Sequence, residues 1–403
     1  MDLAEIPLLL MLLGLVAYAV LGGADFGAGA WQLAGGAGER DKEIREHAHH
    51  AMGPVWETNH VWLVFVLVVC WTAYPEAFGS IASTLSIPLF IAGIGIILRG
   101  TAYALRSGTA SMREQRCVEV AVAVSSILTP FALGAVVGGI ASLRVPVGNA
   151  EGDLVTSWLN PTSILIGVLA VVTAAYLAAV YLAADAVRLG RADLADAFRV
   201  RALITAVVAG AVAVGGLAVV HHDAKHLWDG LTSGGGLAAA IVSVLAGIAT
   251  LALVWVRRFE AARLSASVAV AAIVAGWALA QSPLLLKGLT VEDAAAGRSV
   301  LIAVIVAVGL GALLLLPSLA LLFGLLLRGR FDAPAAEDSG ETGPAPRFRP
   351  ELGAVAAGAL GVGSVFLFFF DSGWAHAIGV ISLFVFLAVG FLTLTTVVAG
   401  SAD

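Results

Sequence analysis

Apolar residues run along this chain in long blocks, not at alternate positions. Eleven blocks stand out, at about 5–32, 55–74, 78–105, 117–142, 161–186, 200–221, 235–256, 265–284, 299–327, 351–370 and 376–399. Most hold the ~20 residues that a helix rising ~1.5 Å per residue needs to cross a ~30 Å hydrocarbon layer. The short gap at 72–78, marked by Pro75, predicts a tight helical hairpin. The alternating pattern of a membrane barrel is missing, which leaves the helix as the spanning structure, since lipid satisfies no backbone polar group. The pattern predicts an all-α polytopic membrane protein of about eleven transmembrane helices.

The polar gaps set an orientation. The connections after blocks 1, 3, 5, 7 and 9 carry 18 of the 22 Lys and Arg residues, and the opposite side holds only Arg144, Lys225, Lys287 and Arg298. Basic loops stay on the cytoplasmic side. The N-terminus is therefore predicted outside and the C-terminus inside. No Lys or Arg precedes the first block. That is unlike a signal peptide, and block 1 is expected to remain as a spanning helix.

Composition agrees. Apolar residues make up 60% of the 403 and charged residues 12%, with mean hydropathy +0.97, against roughly half and a quarter in soluble domains. The net charge of −6 is spread over the loops and gives no nucleic-acid signal. Cys70 and Cys117 belong to no C-x-x-C or C-x-x-C-H motif, so a disulfide framework, a zinc site and covalent c-type haem are unsupported. Residues 331–349 are acidic, rich in Pro and Gly and poor in large apolar side chains, the composition of a disordered cytoplasmic linker. This divides the chain into a membrane domain at 1–330, a linker at 331–349 and an appended transmembrane hairpin at 350–403.

Charges inside the blocks are costly and ask for a reason. Asp25 lies among glycines at 22, 23, 27 and 29, which permit close helix approach. Glu57 opens block 2, and Arg99 stands near the end of block 3. In the predicted topology all three fall at one level near the cytoplasmic surface. One reading is a proton-uptake site, because desolvation raises a carboxyl pKa toward neutrality. The other is a structural ion pair of Arg99 with Asp25 or Glu57 that locks helices together. His60 follows Glu57 by three residues and shares its helix face; it is a relay, a haem ligand or a hydrogen-bonded interior histidine. Trp56 and Trp62 are interface-belt residues or, more sharply, a stacking surface for a quinone. His47, His49 and His50 end a charged stretch that reads as a wet amphipathic surface helix, with a His47/His50 metal pair as the alternative. His221, His222 and His226 are placed in an outside loop with Asp223 and Asp229, a weak metal cluster at most. His376 opens the last block without an evident partner.

These residues carry a resemblance. Gly22-Gly23-Ala24-Asp25-Phe26-Gly27-Ala28-Gly29 and Gly53-Pro54-Val55-Trp56-Glu57-Thr58-Asn59-His60-Val61-Trp62-Leu63 are similar to subunit II of the cytochrome bd-type quinol oxidases. Arg99-Gly100-Thr101-Ala102-Tyr103-Ala104-Leu105-Arg106 resembles that family's third-helix end. Gln281-Ser282-Pro283 and Leu314-Leu315-Leu316-Pro317-Ser318 resemble its later markers. The resemblance covers about residues 1–330. It implies two four-helix bundles plus a peripheral helix, in a bacterial plasma membrane. It also implies a partner subunit I that holds haem b and haem d and oxidises quinol. This chain would bind no haem itself, would stabilise subunit I and would help conduct cytoplasmic protons through Asp25 and Glu57, with His60 beside them. Trp56 matches a position near a structural quinone. Two departures stand out. Many relatives carry a second acid where this chain has Gly22, and the hairpin at 351–399 exceeds the nine helices implied; it would cover a flank or dock a small single-helix accessory subunit. Few intramembrane histidines and no paired axial-ligand pattern accord with the non-haem role. The rival readings are a purely structural scaffold and a secondary transporter, which would need a midplane substrate site where these blocks are nearly uncharged.

Overall fold

The computed structural model describes residues 2–33, 38–52, 56–106, 112–327, 350–370 and 372–399. Nearly all of them are helical. Among the described residues eight helices are long and apolar enough to cross a membrane, nine if one sharply bent pair is a single span. Blocks 55–74 and 351–370 contain the shorter apolar helices Asn59–Ala73 and Glu351–Phe366. The chain divides into two compact units, Met1–Leu314 and Leu315–Asp403. The sequence-predicted linker, 331–349, lies outside the described residues.

In the first unit α1 (Glu5–Ala17) passes through a π-helical turn, Tyr18–Gly22, into α2 (Gly23–Leu33). Next come α3 (Glu39–Met52) and α4 (Trp56–Ala73). Then α5 (Pro75–Thr84) and α6 (Ser86–Arg106) meet at 83°. The hairpin expected at 72–78 is this junction: α4 ends at Ala73, Pro75 opens α5, and the Tyr74 hydroxyl donates to the carbonyl of Ala4. The bend at Leu85 breaks the single helix predicted over 78–105. Pro88 lacks the N–H that would bond Thr84, and its ring would strike that carbonyl, so an unbroken helix is excluded here.

Helix α7 (Met112–Ala141) leads through an ordered loop to α8 (Pro161–Arg188). Asn160 caps α8, its Oδ1 accepting from the Ser163 N–H at 2.9 Å, and Pro161 takes the first helical position. Asp223, at the end of α9 (Ala192–Asp223), accepts from Arg144 at 2.6 Å and from the Thr162 hydroxyl at 2.6 Å. In the α7–α8 loop Asp153 Oδ1 accepts from the N–H groups of Val155 and Thr156 at 2.9 and 2.6 Å and from the Thr156 hydroxyl at 3.0 Å. These donors hold its carboxyl below the usual range. A depressed folded pKa means that this loop's stabilisation is present above the unfolded value of about 4 and is lost as pH falls through the folded one. Amide protection at Val155 and Thr156, relative to the intrinsic exchange rate, is expected to fall on acidification below about pH 4, and Asp153→Ala should remove that step.

The chain continues through α10 (Lys225–Leu231), α11 (Gly234–Trp255) and α12 (Phe259–Gln281). A small β-hairpin (Leu284–Leu286 with Leu289–Thr290), α13 (Val291–Ala294) and α14 (Arg298–Leu327) follow. Helices α8, α9, α11 and α12 pack together, and α2 joins α7 and α8. The core over α2, α3, α8, α9 and α12 is filled mainly by alanine, which lets the helix axes come close. In the second unit α15 (Pro350–Phe369) packs on α16 (Gly373–Ala399).

Two expectations change. His221 and His222 end α9 and His226 lies in α10, so none of them is in a loop. The apolar run stops where the chain is expected to leave the hydrocarbon, whereas the helix continues because its backbone bonding does not depend on apolarity. Helix α3 is wet on one face only: Ile44, His47 and Ala48 are buried, with His47 Nε2 3.1 Å from the Leu182 carbonyl of α8.

Candidate functional site

The site grows from the glycine-flanked acid of the first span. Asp25 is the third residue of α2, and Arg99 reaches it from α6; neither exposes any surface. Arg99 Nη2 donates to Asp25 Oδ1 at 2.6 Å and to the Asp25 carbonyl at 2.8 Å. Its Nη1 donates to Ser126 Oγ of α7 at 2.6 Å, and that hydroxyl in turn donates to the Val122 carbonyl at 2.6 Å. The guanidinium carbon lies 5.0 Å from the centre of the Phe26 ring, in cation–π range. Three helices are thus tied by one cation. Bulk solvent does not reach this point, so each hydrogen bond is electrostatically stronger than it would be in solvent and each missing one is costlier.

Packing makes the approach possible. A methyl group at Gly29 would fall 2.0 Å from Ser126 Oγ and 2.7 Å from Arg99 Nη1. One at Gly27 would fall 1.9 Å from the Ala174 carbonyl oxygen of α8. Two glycines of the motif are therefore fixed by contacts with two different neighbours.

Three rings lie beside the ion pair. Tyr18, Phe26 and His60 meet edge to face, with ring centres 6.5, 6.2 and 5.9 Å apart. The π turn at Tyr18–Gly22 interrupts the ordinary ladder of carbonyl bonding. Asn59 Nδ2 of α4 donates to the Leu21 carbonyl there at 3.2 Å. Asp25 Oδ2 is buried without a hydrogen-bond partner among the described residues.

The family model for "Cytochrome bd terminal oxidase subunit II" matches residues 3–326. The chain belongs to the cytochrome bd oxidase subunit II family. The "Putative cytochrome bd menaquinol oxidase subunit II" of Bacillus subtilis (strain 168) is 26% identical over 242 residues, 58% of this chain and 67% of that protein. The "Cytochrome bd ubiquinol oxidase subunit 2" of the same organism is 27% identical over 119 residues, 30% of this chain and 34% of that protein. The match thus spans about a third of the one relative and two thirds of the other. The solved structure of bd oxidase from Geobacillus thermodenitrificans resembles the chain with a TM-score of 0.64 and 25% identity, over 81% of this chain and 99% of that one.

Within this bd subunit II fold the sequence-predicted residues fare unequally. Asp25, Arg99 and His60 come together. Trp56 and Glu57 open α4, but their side chains lie outside the described residues. Ser126, Tyr18 and Asn59 are site residues that sequence reasoning missed; the visible signal was polarity, since Ser125-Ser126 interrupts an apolar block and Asn59 stands beside His60. Gln281, in a later family marker, is bonded to Trp277 at 2.7 Å and to the Leu285 carbonyl at 3.0 Å, which anchors the β-hairpin to α12. Among the described residues no group of three or more His, Cys, Asp or Glu side chains is placed to hold a metal ion. An open apolar groove of about 720 Å³ runs between α4 and α14, lined by Val61, Phe65, Val68, Val304 and Val308 among others.

Proposed function

We propose that this chain is the non-haem subunit II of a bd-type quinol:oxygen oxidoreductase in a bacterial plasma membrane. Its N-terminus faces outward and its C-terminus the cytoplasm. It stabilises the haem-bearing subunit I and conducts cytoplasmic protons toward the site of oxygen reduction. Haem b and haem d of the partner supply the electron transfer and oxygen chemistry.

One observation carries the proton role. Asp25 has one carboxylate oxygen committed to Arg99 and the other buried without a protein partner among the described residues. A buried acceptor without a donor carries the cost of desolvation, and protonation relieves it. Asp25 Oδ2 therefore takes up and releases the proton, while Arg99 holds the other oxygen in place. His60 of α4 meets the Phe26 ring edge to face and follows Glu57 by three residues, a spacing that shares one helix face, which supports Glu57 as the collecting acid. The groove between α4 and α14 suits a hydrocarbon tail, and the resemblance assigns Trp56 to the neighbourhood of a structural quinone. The nine spans before the linker form the two four-helix bundles and a peripheral helix. The hairpin at 350–403 covers a flank or docks a small accessory subunit.

The burial and multiple bonds of Arg99 favour a second reading, in which the cluster only holds α2, α6 and α7 together. The two part on one experiment. In the assembled complex, Asp25→Asn and Glu57→Leu are expected to lower quinol-driven oxygen consumption per haem by about 10²-fold, the lower bound for losing a positioned proton carrier. Full turnover per haem with reduced assembly would establish the scaffold reading in its place.

A further inference from the structure

The π turn is the least explained feature of the first span. It inserts one residue into the helical ladder and so rotates whatever precedes it by roughly 100°, one residue of an α-helix, relative to Asp25. The residue so displaced is Tyr18, seven positions before Asp25. Its ring is buried, 7% exposed, and lies across the backbone of Gly22, where a methyl group would fall 3.1 Å from two ring carbons. The same ring meets Phe26 and His60 edge to face, and Phe26 carries the Arg99 guanidinium on its own face. Asp25 and Arg99 are, among the described residues, the charged groups close enough to act on the Tyr18 hydroxyl. That hydroxyl, like Asp25 Oδ2, has no hydrogen-bond partner among the described residues. Buried hydroxyls are rarely left so, and here two orphaned oxygens belong to neighbouring groups.

We propose that the Tyr18 hydroxyl is the next proton station beyond Asp25, placed there by the π turn over Gly22. The proposal rests on the proton-conducting reading of Asp25 and extends it. A helix rise of ~1.5 Å per residue sets the Tyr18 backbone about 10 Å farther along the span than that of Asp25, on the side a cytoplasmic proton travels toward, and its ring folds back over Gly22 toward Asp25. The step balances simply. The Tyr18 oxygen takes a proton from the Asp25 carboxyl over one bridging water, as its own phenolic proton passes to a second water on the far side. No bond to carbon changes, and Tyr18 ends neutral while Asp25 ends ionised beside Arg99. A tyrosine can serve because its hydroxyl both donates and accepts. Gly22 is where the resemblance implies a second acid; in this chain the ring of Tyr18 fills that place.

Tyr18→Phe removes a single oxygen and keeps the ring contacts. In the assembled oxidase it is expected to lower turnover per haem about ten-fold, less than loss of an obligatory acid because water can substitute in part. The residual rate should show an enlarged solvent deuterium effect. Tyr18→Ala combined with Gly22→Asp, which puts a carboxyl where the ring lay, should run faster per haem than Tyr18→Ala alone. Asp25→Asn, measured alongside, separates the two claims. Full turnover of Tyr18→Phe with slow Asp25→Asn overturns the role of Tyr18 and leaves the proton path standing. Full turnover of both overturns the path and the station with it. A slowed Tyr18→Phe with an unchanged deuterium effect makes Tyr18 a packing residue and also overturns the proposal.

Discussion

Arg99→Leu is expected to prevent accumulation of the assembled oxidase in the membrane. The substitution leaves the Asp25 carboxylate at 0% exposure without its cation and frees Ser126 Oγ of a donor. Breaking a buried pair by removing one partner costs about 3–5 kcal/mol, a large share of the stability of any domain. Asp25 can escape only by holding a proton permanently, which keeps the chain neutral but ends its use as a carrier. The double variant Asp25→Leu with Arg99→Leu removes both charges and leaves no ion to bury. It should restore assembly above the level of the single variant, because replacing a buried pair with apolar groups is often neutral. Haem absorbance per milligram of membrane protein measures assembly in each case. Equal haem content in wild type and Arg99→Leu would show that the ion pair holds nothing together.

The contrast between what the sequence shows and what it hides follows from the range of the forces involved. Spanning helices were legible because burial in hydrocarbon acts on every residue of a block of ~20, so the signal accumulates. The candidate acids were legible for the opposite reason: a single charge in such a block is conspicuous. Arg99 could be placed near Asp25 by depth alone. Which oxygen it would bind, and that Ser126 would complete its coordination, depended on helix rotation about axes that the pattern leaves free. The π turn was invisible because Tyr18–Gly22 reads like any apolar stretch; one inserted residue alters no composition. The 83° break at Leu85 carried a visible sign in Pro88, yet the apolar run continued past it and the block was read as one helix. The same confusion of apolarity with helicity placed His221 and His222 in a loop.

Gly27→Ala is expected to be among the most damaging single-methyl changes in the chain. Its new carbon would fall 1.9 Å from the Ala174 carbonyl oxygen, 2.4 Å from that carbonyl carbon and 2.7 Å from the Ala178 methyl. The first two are backbone atoms of α8, so no rotamer change can make room, and α2 must move off α8 as a body. Overpacking of this kind costs about 1–3 kcal/mol where side chains can yield, and here they cannot. Separation of the two helices also withdraws Asp25, two residues away, from Arg99. The damage should therefore appear as lost haem absorbance and a lower thermal midpoint of the purified complex, and as slower turnover in whatever assembles. Gly210→Ala in α9 is the matched control. Among the described residues nothing beyond its own helix backbone lies within 4 Å of its added carbon, and the exchange removes a helix penalty of about 1 kcal/mol. Its complex should be as stable as the parent or slightly more so. If Gly27→Ala melts with the parent, the close packing of α2 on α8 is not what positions Asp25, and the glycines of the motif need another explanation.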